Sequence, residues 1–91
     1  MEMSYTLEYK DKALEDIQYF KSLGDETIKR KINALLDELE EHPLTGTGKP
    51  EKLKQNLSGY MSRRINHEHR LLYRIDEETK VVTIISFKGH Y

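Results

Sequence analysis

The sequence has 91 residues, 36% hydrophobic and 34% charged, with a formal net charge of −1 and no cysteine. That length suits one domain with one modest core over residues 1–91 and excludes two. The absence of cysteine excludes disulfides and thiolate chemistry. The longest apolar-rich run, Val81–Phe87, falls far short of the roughly 20 residues of a membrane helix.

The opening MEMSYTLEYK has neither a basic leader nor an apolar core, so no secretory signal is expected. The expectation is a soluble cytoplasmic protein with no membrane partner. The small net charge hides an asymmetry. Residues 1–42 hold 6 Lys/Arg and 11 Asp/Glu, a balance of −5, whereas residues 43–91 hold 9 and 5, a balance of +4. A basic second half favours polyanions such as nucleic acid, although ordinary surface charge accounts for the balance equally well.

In chain order, Ser4–Tyr9 alternates, with Tyr5, Leu7 and Tyr9 on one face, and reads as a short strand. From Asp11 to Leu23, Ala13, Leu14, Ile17 and Phe20 fall at helical spacing, and Gly24 is suited to end that helix. Asp25 suits the N-cap of a second helix with the stripe Ile28, Ile32, Leu35, Leu36 and Leu39, ended by Pro43. That stripe is too short for a coiled coil and is expected to pack on the domain's own sheet. LTGTGKPE is a Gly/Pro-punctuated loop without the glycine spacing of a phosphate-binding loop. EKLKQNLSG reads as a short extended piece and a turn. Strands then follow at about 60–65, about 70–75 and 81–87, the last two joined by the polar turn 76–80. Strand, two-helix hairpin and meander predict an α+β fold, one mostly antiparallel sheet with helices on one face.

Period two assigns the faces. Leu71, Tyr73 and Ile75 point one way, toward the helices, and Arg70, Leu72 and Arg74 the other. In the last strand Val81, Thr83, Ile85 and Phe87 share one face, with Val82, Ile84, Ser86, Lys88 and His90 opposite. Hairpin pairing then puts Arg70 and His90 on one exposed face, at the end away from the turn.

His67-Glu68-His69 has an i, i+2 His pair, but no cysteine or further cluster at ligand spacing accompanies it, and it falls in an expected turn. No metal and no cofactor is expected there. Glu51, Arg70, His90 and Tyr91, beside several basic residues, match the needs of metal-free RNA cleavage. A base takes the proton of a ribose 2′-hydroxyl, cations neutralise the phosphorane, and an acid protonates the departing 5′-oxygen. A carboxylate or a lysine of depressed pKa can serve as the base, arginine as the phosphate clamp and histidine as the acid. Solvated surface polar residues explain the same residue types.

The run GTGKPEKLKQNLSGYMSRRINHEHRLLYRI, followed by KGHY, closely resembles the YoeB-type branch of the RelE superfamily of bacterial toxins. The resemblance spans essentially the whole chain and is densest over residues 46–75. It departs from the branch pattern at Met61, where a Trp is common, and at Gly89 before His90. The resemblance implies the microbial RNase-like RelE fold and a ribosome-dependent mRNA endoribonuclease, the toxin of a type II toxin–antitoxin pair. It further implies a general base at Glu51, a phosphate-binding arginine at Arg70, a general acid at His90 and a substrate-packing tyrosine at Tyr91. Lys49 and Arg64 fall where the family's neighbouring basic residues contact the RNA or the ribosome, although strand register decides whether Arg63 or Arg64 faces outward. The implied partners are a cognate antitoxin, the ribosome, mRNA, a second copy in a homodimer, and operator DNA through the antitoxin complex. Two alternatives remain: a same-fold toxin directed at gyrase, and a catalytically silent co-repressor partner of the antitoxin.

Overall fold

The structure is a computed structural model of the chain, and it describes residues 4–89. Strand β1 (Thr6–Tyr9) leads into helices α1 (Asp11–Leu23) and α2 (Glu26–Glu41). Strands β2 (Glu51–Lys52), β3 (Met61–Arg64), β4 (Arg70–Asp76) and β5 (Val81–Ser86) follow. They form one five-stranded sheet in the order β1-β5-β4-β3-β2. Every pairing is antiparallel except β1 with β5. The helical hairpin carries the chain from β1 to β2 at the opposite edge, and the antiparallel meander from β2 to β5 then returns it beside β1 in the parallel sense. The expected α+β architecture is therefore present. No helix among the described residues is long and apolar enough to cross a membrane.

The helix boundaries come from local chemistry. Gly24 takes φ 67°, in the left-handed region, and its N–H donates to the Lys21 carbonyl at 3.1 Å to close α1. One residue later, Asp25 Oδ1 accepts the Ile28 N–H at 3.1 Å and opens α2. The helices supply Ala13, Phe20, Ile32, Leu35 and Leu39 to a core completed by Met61, Leu71, Tyr73, Val82, Ile84 and Phe87. Each large side chain so buried contributes about 1.5–3 kcal/mol.

The face assignment holds in β4, where Leu71 and Tyr73 are buried in the core and Ile75 packs against it. In β5 it fails: Val82 and Ile84, expected on the exposed face with Arg70, are buried in the core, and the alternation itself breaks further on. Tyr73 pairs with Ile84, but Leu72 pairs with Ser86, so Ile85 is an extra residue, a β-bulge. A bulge reverses the alternation beyond it. Phe87 therefore joins Val82 and Ile84 in the core instead of following Val81, Thr83 and Ile85.

The largest fully buried side chain belongs to Arg63. Its register partner is Leu71, which puts it on the helix side of β3. All its nitrogens have partners. Nε donates to the Tyr73 hydroxyl at 3.0 Å, and Nη1 to Glu38 Oε1 at 3.1 Å and the Thr47 carbonyl at 3.4 Å. Nη2 donates to the carbonyls of His42 and Thr45 at 2.5 and 2.7 Å. The Tyr73 hydroxyl, its pKa pushed up by burial, donates in turn to the Pro43 carbonyl at 3.0 Å. One guanidinium thus fastens the α2–β2 loop to the sheet.

Hydrogen bonding from Thr47 and then the Arg63 charge hold the Glu38 carboxyl below the usual carboxylate range, outweighing the rise that burial brings. A carboxylate whose pKa is lower folded than unfolded stabilises the fold above its unfolded pKa. That stability is lost as pH falls through the lowered value. The expected result is that acid destabilises the wild type below the ordinary Glu pKa of 4.5 more steeply than Glu38→Gln. Denaturant titrations over a pH series read the difference; identical slopes would exclude this role for Glu38.

Candidate functional site

The sheet face turned away from the helices carries three of the expected site residues, Glu51, Arg64 and Arg70. Strand pairing sets Glu51 opposite Ser62, Ser62 opposite Leu72, and Leu72 opposite Ser86, one row across four strands. Two residues further along β3, Arg64 lies opposite Arg70. Because side chains alternate, Glu51, Arg64 and Arg70 share this face. Arg64 is diagonal to Glu51 across the pair, a separation of roughly 7–8 Å in ordinary sheet geometry. The register settles the Arg63/Arg64 question: Arg64 is exposed on the open face, and Arg63 is buried.

Like charges directly opposite on neighbouring strands destabilise a sheet, and an anion between them removes the penalty. Arg70 is half-buried and partly held in place, its Nη1 donating to the carbonyls of Asn66 and His69 at 2.8 and 3.1 Å. Asn66 organises that turn, its Oδ1 accepting the N–H groups of Glu68 and His69 at 2.8 and 2.7 Å. The turn of His67-Glu68-His69 is thus an Asx-stabilised connection between β3 and β4.

The loop before Glu51 is pressed against β3. The Arg64 N–H donates to the Gly48 carbonyl at 2.6 Å. Gly48 has φ +87°, and a Cβ there would lie 2.9 Å from the Arg64 carbonyl oxygen, so no other residue fits without backbone movement. Next to it, Lys49 holds φ 52°, a left-handed conformation that costs a non-glycine residue about 1–2 kcal/mol. Strain of this kind collects at functional sites, and here it sits two residues from Glu51.

Charge is polarised along the open face. Arg64 and Arg70 occupy one end, while a groove of about 690 Å³ at the turn end is lined by Glu8, Asp76, Glu77 and Glu78 beside Arg74. That acidic groove is unsuited to a phosphate chain. His90 and Tyr91, and with them the expectation that His90 shares the face of Arg70, lie outside the described residues.

The sequence reading missed two residues that hold the segment after β5. Asp16 on α1 is 4% exposed, and its Oδ2 accepts the N–H groups of Phe87 and Lys88 at 2.9 and 3.1 Å. His69 Nδ1 accepts the Gly89 N–H at 3.3 Å. A signal for Asp16 was present: it stands between Ala13 and Phe20 at helical spacing, a carboxylate in an apolar stripe.

A helix pair over one face of a mostly antiparallel five-stranded sheet is the architecture of RelE-superfamily toxins. The model of the YoeB-like toxin of bacterial type II toxin–antitoxin systems matches residues 9–91, and the chain belongs to that family. Toxin YoeB of Synechocystis is 48% identical over 68 residues, 75% of this chain and 77% of that protein. Among solved structures, a YoeB/ParE toxin from Agrobacterium tumefaciens superposes with a TM-score of 0.87 at 34% identity, covering 94% of this chain and 99% of that one. YoeB of Staphylococcus aureus has been solved with YefM (TM-score 0.81, 45% identity) and as a dimer (0.82, 46%), each covering 96% of this chain and 98% of that one. The protein is thus the toxin of a type II toxin–antitoxin pair.

Proposed function

We propose that this toxin is a ribosome-dependent mRNA endoribonuclease that cuts the codon in the A site by metal-free general acid/base transesterification. The observation that supports the reading is the shared open face of Glu51, Arg64 and Arg70, fixed by strand register, with the segment after β5 held beside Arg70 by the bond from the Arg70 N–H to the Gly89 carbonyl. Glu51 takes the proton of the 2′-hydroxyl, whose oxygen attacks the adjacent phosphorus. Arg70, with Arg64 and Lys49 alongside, neutralises the charge that builds on the non-bridging oxygens. His90 gives its proton to the departing 5′-oxygen, and Tyr91 packs against the base or ribose. The products are a 2′,3′-cyclic phosphate, or its opened 3′-phosphate, and a 5′-hydroxyl.

The partners follow the same line. The Staphylococcus aureus relative forms a complex with YefM and a dimer. This toxin correspondingly pairs with a cognate antitoxin that covers its active face, forms a homodimer, and reaches operator DNA through the antitoxin complex. It acts in the cytoplasm, where the ribosome and mRNA are.

End-group analysis of cleaved mRNA tests the chemistry. The downstream fragment should accept label from polynucleotide kinase without prior phosphatase treatment, and the upstream fragment should carry a cyclic or 3′-phosphate. A 5′-phosphate with a free 3′-hydroxyl would exclude attack by the 2′-hydroxyl.

A further inference from the structure

Three successive backbone N–H groups after β5 are taken up by side chains from elsewhere in the fold. Those of Phe87 and Lys88 donate to Asp16 Oδ2 on α1, and that of Gly89 donates to His69 Nδ1 at the start of β4. The segment is fixed from other sides as well. The Gly89 carbonyl accepts the Arg70 N–H at 2.9 Å, and Lys88 Nζ lies 3.8 Å from the centroid of the Tyr19 ring. Past the end of β5, side-chain acceptors thus take these N–H groups in place of ladder carbonyls. Both acceptors are themselves held. Asp16 is ion-paired to Lys12 at 2.7 Å, and the His69 ring packs edge-on against Phe20 with centroids 5.2 Å apart. Accepting at Nδ1 leaves the His69 proton on Nε2, the nitrogen that faces the Glu68 carboxylate at 3.7 Å.

We infer that Asp16 and His69 form a two-acceptor clamp that sets the direction in which the chain leaves the sheet, and that His69 is thereby a positioning residue for His90. The inference rests on the proposed function for the role of His90. The clamp itself is a property of the fold. A hydrogen bond from Gly89 acts one residue before His90, so its geometry passes directly into the placement of the acid. His69 also follows the turn that orients Arg70, and Arg70 is its chain neighbour. One imidazole therefore ties the exit of β5 to the start of β4.

The test compares His69→Leu, which removes the acceptor, with His69→Asn, whose amide oxygen stands where Nδ1 does. Single-turnover cleavage is measured on ribosomes programmed with a defined A-site codon, and amide exchange is followed at Phe87, Lys88 and Gly89. Antitoxin affinity reports folding. His69→Leu should lose exchange protection at Gly89 and cleave about 10- to 100-fold more slowly at saturating ribosomes, as a misplaced group does. Its half-saturating ribosome concentration and antitoxin affinity should be unchanged, and His69→Asn should recover most of the rate. Cleavage by His69→Leu at the wild-type rate, or no recovery with a folded His69→Asn, would overturn the clamp. Failure of the wild type itself to cleave, with Gly89 protected as described, would instead overturn the proposed function, and the positioning role with it.

Discussion

Glu51→Gln is expected to lower cleavage by about 10²- to 10⁴-fold, the range over which a positioned acid or base contributes to catalysis. The substitution preserves shape and removes only the ability to take a proton. Glu51 is exposed on the edge strand β2, so the fold should be indifferent to the change. The denaturation midpoint should match wild type. Arg70→Ala should produce a loss of similar order through a different property, the removal of the cation proposed to neutralise the phosphorane. Arg70→Lys should recover little, because its one ammonium would have to bond the Asn66 and His69 carbonyls, as Nη1 does, and has no second nitrogen with which to meet phosphate. Measured single-turnover rates decide the matter. A Glu51→Gln rate within a few-fold of wild type would transfer the base role to a neighbouring lysine.

The second large effect concerns the adjacent pair of arginines. Arg63→Met should destabilise the protein by about 3–5 kcal/mol, because removing one partner of a buried ion pair strands the other groups. Glu38 loses its cation, and the carbonyls of His42, Thr45 and Thr47 lose their donor together. Those carbonyls belong to the loop that leads to Lys49 and Glu51, so activity should fall along with stability. Arg64→Met, one residue on, should leave the denaturation midpoint in place and weaken RNA cleavage. Urea denaturation of both variants separates the roles, and an Arg63→Met midpoint equal to wild type would show that the buried network adds no net stability.

Much of this organisation was legible in the residues. Gly24 and Asp25 mark the helix junction because each has a local job, a left-handed C-cap and a side-chain N-cap, that needs no tertiary information. Leu71, Tyr73 and Ile75 declare their face by alternation. The misplacement of Phe87 has a specific cause: Ile85 and its neighbours look like unbroken strand, and a bulge depends on the partner strand's register rather than on its own sequence. β2 was read only as a short extended piece because two residues carry no periodicity, yet its pairing with β3 is what brings Glu51 into the row with Ser62. Arg63 and Arg64 are chemically identical, and only the pairing of Arg63 with Leu71 and of Arg64 with Arg70 distinguishes structural from exposed. The pairing of His69 with Gly89, 20 residues away, leaves no mark in the local sequence.

The central claim, that this toxin cuts mRNA in the ribosomal A site with His90 as acid, is tested most directly by mapping new 5′ ends. Protein is added to ribosomes stalled on a defined mRNA with a known A-site codon, and primer extension locates the cuts; free mRNA and His90→Ala serve as controls. The account predicts one cut inside the A-site codon, dependent on ribosomes and lost in His90→Ala. Absence of that cut, or a cut indifferent to His90, would contradict it.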